Sequence, residues 1–160
     1  MDTVDVTLYT RNPCPLCDKA KAAIQASGVP VRITEVDIDR DPGLRERYTN
    51  DIPVIHIAGR EAFRHRVDPA AFADHVHAIA GGWRVVDEHH LEKEYTFPDF
   101  AQALAFTNRV AALAEEQNHH PDVHLAWGKV RLALWSHDVS AITKRDYRLA
   151  AAIGKLPGDK

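Results

Sequence analysis

The 160-residue sequence predicts two small domains of mixed class, an α/β unit followed by an α+β unit. Three observations lead there. Runs with strand alternation and runs with helical period succeed one another over residues 4 to 80 in the order βαβαββα. Gly81-Gly82 then interrupts the pattern. Beyond it come a strand pair, one long amphipathic helix, a second strand pair and a last helix. We therefore expect domains at 1–80 and 81–160.

Composition narrows the function. Apolar content of 45% and charged content of 27% are ordinary for a globular protein. A net charge of −3, with no basic stripe, argues against a nucleic-acid surface. The opening MDTVDVTLYT is acidic and alternating, and no apolar run approaches a membrane span. A cytoplasmic protein is expected. The two cysteines form a single CxxC, which in a reducing compartment argues for redox or metal chemistry rather than a structural staple.

In the first half, VDVTLYT alternates and is rich in β-branched and aromatic residues, so it is a strand. RNPCPLCDKAKAAIQASG follows, with Pro15 suited to a first helical position and Gly28 closing the helix. VRITEVDI is a second strand, residues 41 to 48 a short polar helix, PVIHIAG a third strand and REAFRHRV a fourth. Asp68-Pro69 caps and starts the helix PAAFADHVHAIA. CPLC thus lies at a helix N-terminus, where the dipole and unpaired N–H groups favour a thiolate. Arg11 is expected to add to this. Cys14 would be the exposed nucleophile and Cys17, one turn in, the resolving thiol.

LYTRNPCPLCDKA, VDID and DIPVIHIAG together resemble the glutaredoxin-like branch of the thioredoxin fold over about residues 4 to 79. The resemblance implies a cis-proline facing the CxxC, at Pro53, and a thiol or disulfide partner. The family's glutathione-binding members carry a Gly-Gly turn and an acidic pair where this chain has RHRVDP, so glutathione itself is not specified. Half a zinc site is the competing reading of CxxC, but the chain has no other Cys, and only His56 or His65 could complete it.

In the second half, WRVVD and LEKEYTF form a hairpin around Glu88 to His90. Asp99 caps the long helix, with Phe100, Ala103, Leu104, Thr107, Val110, Ala111 and Ala114 as its apolar face. VHLAW and KVRLALWS form a strand pair turned at Gly128-Lys129, and Thr143 to Asp146 make a capping-box start to the last helix. A helix ending at His119-His120, followed by a hairpin ending at His137, can hang three imidazoles over one concave face. Imidazole titrates near neutrality, so such a cluster suits proton transfer. The competing readings are a polar surface turn or a zinc site, the latter opposed by the adjacency of His119 and His120. Asp146 could simply cap its helix. Trp127 and Trp135 are expected to pack on the sheet, and His75, His77 and His89-His90 to be solvated.

From GWRVV through EYTFPDFAQALAFTNRVAALAEEQNHHPD to WSHDVSAITKRDYRLAAAI, the chain strongly resembles pterin-4a-carbinolamine dehydratase. The resemblance implies a four-stranded antiparallel sheet with helices on one face, and a homodimer or homotetramer. It implies dehydration of 4a-hydroxytetrahydropterin to quinonoid dihydropterin, with the pterin as substrate and no metal or cofactor required. His119, His120 and His137 would line the site, His120 and His137 moving protons and His119 orienting the substrate. Trp83, Glu115, Pro121 and Asp146 would complete the substrate contacts. Two departures stand out. Ala141-Ile142-Thr143 replaces a usual Gly-Leu-Thr, and the family's own first helix has only residues 69 to 80 to correspond to it. Two alternatives of other classes remain open: a thiol-disulfide oxidoreductase whose C-terminal half only binds a pterin, and a dimerisation or scaffold module.

Overall fold

The computed structural model describes residues 3–157, and the chain divides into two compact units, Met1–Val76 and His77–Lys160. The first contains β1 (Val4–Thr10), α1 (Pro15–Ala26), β2 (Val31–Asp37), a 3-10 turn at Ile38–Arg40, α2 (Pro42–Tyr48), β3 (Val54–Ile57) and β4 (Arg60–Arg64). Next comes α3 (Pro69–Ala80). The sheet runs β2-β1-β3-β4, with β1 and β2 parallel and the other pairs antiparallel. A parallel pair needs a long crossover, which α1 supplies.

Neighbouring strand residues point to opposite faces, yet Val54 and Ile55 are both fully buried, so both faces of this sheet are covered. Val54 joins Ile38 and Tyr48, against which Tyr9, Leu44 and Ile52 pack. The expected punctuation is present. Cys14 is the N-cap of α1 with Pro15 first in the helix, and Gly28 follows the C-cap with φ 71°. The Asp41 carboxylate accepts from the N–H groups of Gly43 and Leu44, and that of Asp68 from Ala71 N–H.

His75 departs from expectation. It is 6% exposed, with its ring 6.2 Å from that of Phe63. Burial, and secondarily the charge of Arg60, push its pKa down to about 4. A histidine whose folded pKa lies below its unfolded value contributes stability that is complete above the unfolded pKa of about 6.5 and is lost as pH falls toward 4. His75→Leu should therefore spare the first unit about 2.5 kcal/mol of the destabilisation otherwise suffered between pH 7.5 and 4.5. Urea titrations followed by far-UV circular dichroism test this. The tryptophans, at 83, 127 and 135, all lie in the second unit.

The second unit contains β5 (Arg84–Val86), β6 (His90–Thr96), α4 (Phe100–Gln117), β7 (Asp122–Ala126), β8 (Lys129–Leu134) and α5 (Lys144–Ile153). Its antiparallel sheet has the order β5-β6-β8-β7. Alternating residues Leu91 and Tyr95 of β6, and Val130, Leu132 and Leu134 of β8, meet Ala103, Phe106 and Val110 of α4 and Leu149, Ala150 and Ile153 of α5 in one core. The Phe106 ring lies 4.6 Å from Tyr95 and 5.1 Å from Phe97. Between β5 and β6, Asp87 and Glu88 both take positive φ (54° and 55°), and His89 N–H closes the turn on Val86 C=O.

Three expectations are corrected here. The buried stripe of α4 is Ala103, Phe106, Val110 and Ala114, while Phe100, Leu104 and Ala111 face outward. The helix carries two apolar stripes, and the one bearing Phe106 has aromatic partners on the sheet. The second hairpin turns at Trp127-Gly128, one residue earlier than expected, because Ala126 pairs with Lys129. Trp127 therefore sits on the turn, 69% exposed, instead of packing on the sheet. In the loop before α5, Ala141 has ordinary backbone, and the left-handed residue is Ser140 at φ 49°.

α3 crosses the division between the units. Phe72, whose ring lies 6.2 Å from Phe63, belongs to the first, and Ala78 belongs to the core of the second.

Candidate active site

α4 ends where Asn118 takes a left-handed conformation (φ 50°), and the next residue's N–H returns to Ala114 C=O at 3.0 Å. The chain leaves the helix axis there, so the adjacent histidines diverge. His119 is buried at 7% exposed, whereas His120 is exposed. His119 Nε2 lies 2.5 Å from Asp146 Oδ1.

Asp146 has no exposed surface. Its other oxygen accepts Thr143 N–H at 2.8 Å, closing the capping box of α5, and the Ser136 hydroxyl at 2.9 Å. Because Ser136 gives its proton to Asp146, the 2.7 Å contact between the Ser136 and Thr143 hydroxyls has Thr143 as donor. The carboxylate is thus both helix cap and histidine anchor. Because a carboxylate only accepts, His119 Nε2 carries the proton of this bond, which fixes the orientation of the ring.

His120 makes an analogous pair with Glu115, Nε2 to Oε2 at 2.5 Å, on the protein surface. His137, beyond β8, lies with its ring 3.8 Å from Trp135. Its Nε2 is 3.9 Å from Asp122 Oδ1, within ion-pair reach but too long for a hydrogen bond, while Trp135 Nε1–H donates to Asp122 Oδ2 at 3.0 Å. Each of the three imidazoles thus has its own carboxylate. Pro121, half-buried, leads from His120 into β7. Trp83 is 3% exposed within the core, and its Nε1 has no hydrogen-bond partner among the described residues. Among the described residues, no three His, Cys, Asp or Glu side chains gather closely enough to hold a metal ion.

His89 and His90 were expected to be solvated and are not. His89 lies 4.5 Å from the Trp135 ring, and His90 is held to Glu92 at 3.1 Å. Their signal was a His pair directly after a hairpin turn, which has no period to read.

In the first unit, Cys14 and Cys17 are joined in a disulfide with their Cα atoms 5.2 Å apart. Cys14 is half-buried and Cys17 is 1% exposed. Cys17 N–H donates to Cys14 Sγ at 3.1 Å, so the helix end addresses the outer sulfur. Arg11 forks onto Asp39 at 2.8 and 3.1 Å, which neutralises the charge expected to favour the thiolate. A cleft of about 390 Å³ is lined by Arg11, Asn12, Cys14, Asp18, Lys21 and Glu35, among others. Pro53 is buried and its peptide bond with Ile52 is cis, as is Asn12-Pro13.

Comparison with known proteins identifies both halves. The pterin 4 alpha carbinolamine dehydratase family matches residues 65–156, and a glutaredoxin-like domain matches residues 5–77. The chain belongs to the pterin-4a-carbinolamine dehydratase family and carries a glutaredoxin-like domain ahead of the dehydratase domain. The two matches overlap on α3.

A Rubrobacter xylanophilus protein named for pterin-4-alpha-carbinolamine dehydratase is 47% identical over 75 residues, covering 47% of this chain and 70% of that one. One of the same name from Alkaliphilus metalliredigens is 42% identical over 73 residues, covering 46% and 66%. Each match thus takes in about two thirds of the relative. The solved transcriptional coactivator/pterin dehydratase of Brucella melitensis is 29% identical, with a TM-score of 0.45, covering 48% of this chain and 84% of that one.

Asp146→Ala would leave a buried imidazole, a hydroxyl and a backbone N–H without their acceptor. It should destabilise the second unit by about 3 kcal/mol, measured by denaturant titration of tryptophan fluorescence.

Proposed function

We propose that this protein dehydrates a 4a-hydroxytetrahydropterin to the quinonoid dihydropterin. The observation that carries the reading is the buried His119–Asp146 pair, which fixes one imidazole while the next residue carries a second, exposed one. In the reaction the C4a–O bond breaks, an imidazolium protonates the departing hydroxyl to water, and an imidazole takes the N5 proton as C4a=N5 forms. Proton donor and acceptor exchange states with no net oxidation, so the step calls for neither metal nor redox cofactor.

We assign proton transfer to His120 and His137, whose side chains are more than half exposed and reachable by a ligand, and orientation of the pterin to His119. Glu115 and Asp146 set tautomers, and Trp83 and Pro121 bound the pterin site. The dehydratase domain takes residues 81–160 and the thiol domain 1–80. As in the family, a homodimer or homotetramer is the proposed assembly, and the cytoplasm the proposed location. Among the described residues, no helix is long and apolar enough to cross a membrane.

The Cys14–Cys17 disulfide at the start of α1 favours a second activity. We assign residues 1–80 a thioredoxin-type fold with Pro53 facing the CxxC, and thiol-disulfide exchange with Cys14 attacking and Cys17 resolving. The partner is a thiol or disulfide compound.

Stopped-flow dehydration of a 4a-hydroxytetrahydropterin by the full-length protein tests the first reading. His120→Ala and His137→Ala should each lower the rate by about a hundredfold or more. Absence of acceleration by the wild-type protein leaves the His cluster as a binding or scaffold surface. Cys14→Ser should abolish disulfide reduction and leave dehydration at the wild-type rate; loss of both would sink the assignment of two independent sites.

A further inference from the structure

The β5–β6 turn is not part of the helix–histidine machinery, yet it carries two half-buried imidazoles, and both are engaged. The register that pairs Leu91 with Leu134 carries the chain beyond β8, at Trp135, to a position opposite His90. His90 Nε2 lies 3.1 Å from Glu92 Oε2, and its Nδ1 lies 3.3 Å from His89 Nδ1. His90 Nε2–H donates to the Glu92 carboxylate, and with the ring neutral its Nδ1 is then an acceptor. His89 must then be the tautomer that donates from Nδ1. One carboxylate therefore fixes the orientation and tautomer of two consecutive imidazoles.

The His89 ring so placed lies 4.5 Å from the Trp135 ring, tilted by 46°. Trp135 is held at another edge by its Nε1–H bond to Asp122, and it carries His137 at 3.8 Å and 48°. His137 follows β8 in an exposed segment, with a 3.9 Å ion-pair contact to Asp122 and the indole as its neighbours. The indole thus lies directly against the imidazole.

We propose that His89 is a positioning residue for the dehydratase: braced by His90 and Glu92, it clamps Trp135 and through it holds His137 in the orientation that proton transfer needs. The inference rests on the dehydratase reading for its kinetic consequence, but the clamp itself is a matter of geometry and can be read separately.

Two readouts on the full-length protein decide it. In dehydration kinetics, His89→Ala should lower kcat about tenfold at little-changed KM. His89→Phe, which keeps a ring against Trp135, should restore most of that loss. In a His137→Ala background, His89→Ala should cost nothing further, because its effect passes through His137. In NMR spectra, the ring protons of His137, displaced by the indole's ring current, should move toward solvated values in His89→Ala and stay in place in His89→Phe. Wild-type kcat with unmoved His137 resonances in His89→Ala overturns the clamp. So does failure of Phe to restore the rate, or an undiminished loss in the His137→Ala background. If the wild-type protein does not accelerate dehydration, the dehydratase reading fails, and the His137 resonances still decide whether the clamp exists.

Discussion

The second unit depends on a single fully buried carboxylate. Asp146 closes the first turn of α5, accepts the hydroxyl of Ser136 from the segment after β8, and anchors His119 from the end of α4. Three segments within 27 residues of one another in sequence thereby meet at two oxygen atoms. A buried ion has to be satisfied completely to be tolerated, so each partner constrains the others. The imidazole's orientation follows from helix capping, and a property of the fold becomes a property of the site.

The three imidazoles are not equivalent. His119 is fixed by a carboxylate that water does not reach, and His120 by Glu115 at the surface. His137 has an aromatic support and only a distant carboxylate. One of the three is held rigidly and two are accessible, the division that the proposed chemistry uses. The thiol site follows a similar economy. The N–H groups that open α1 point at Cys14, and Cys17 is enclosed one turn further in.

Local signals were legible in the sequence wherever the physics is local. Pro15, Gly28, Asp68, Asp99 and Thr143 all sit at the helix ends they announce, since capping and φ restriction act within a few residues. Val4 to Thr10 alternates as a strand should, and is one. What could not be read was the choice between equivalent local patterns. The stripe of α4 through Phe100 and Leu104 is as apolar as the one through Ala103 and Val110, and Tyr95 and Phe97 across the core decide between them. Asp146 looked like a cap and is one. Its second role needs His119, 27 residues away. His75 seemed a polar helix position because periodicity does not register a ring inserted against Phe63. His89 and Trp135 belong to one cluster only through the pairing of β6 with β8.

Residues 65–77 match both families and contain most of α3, which places Phe72 in the first unit and Ala78 in the core of the second. Two family patterns meet over the same dozen or so residues. The substitutions open to α3 are therefore the intersection of two sets, each narrower than a helix serving one domain would meet. A substitution at Phe72 is felt in the packing of the first unit and one at Ala78 in the core of the second, so a single helix answers to two sets of packing demands.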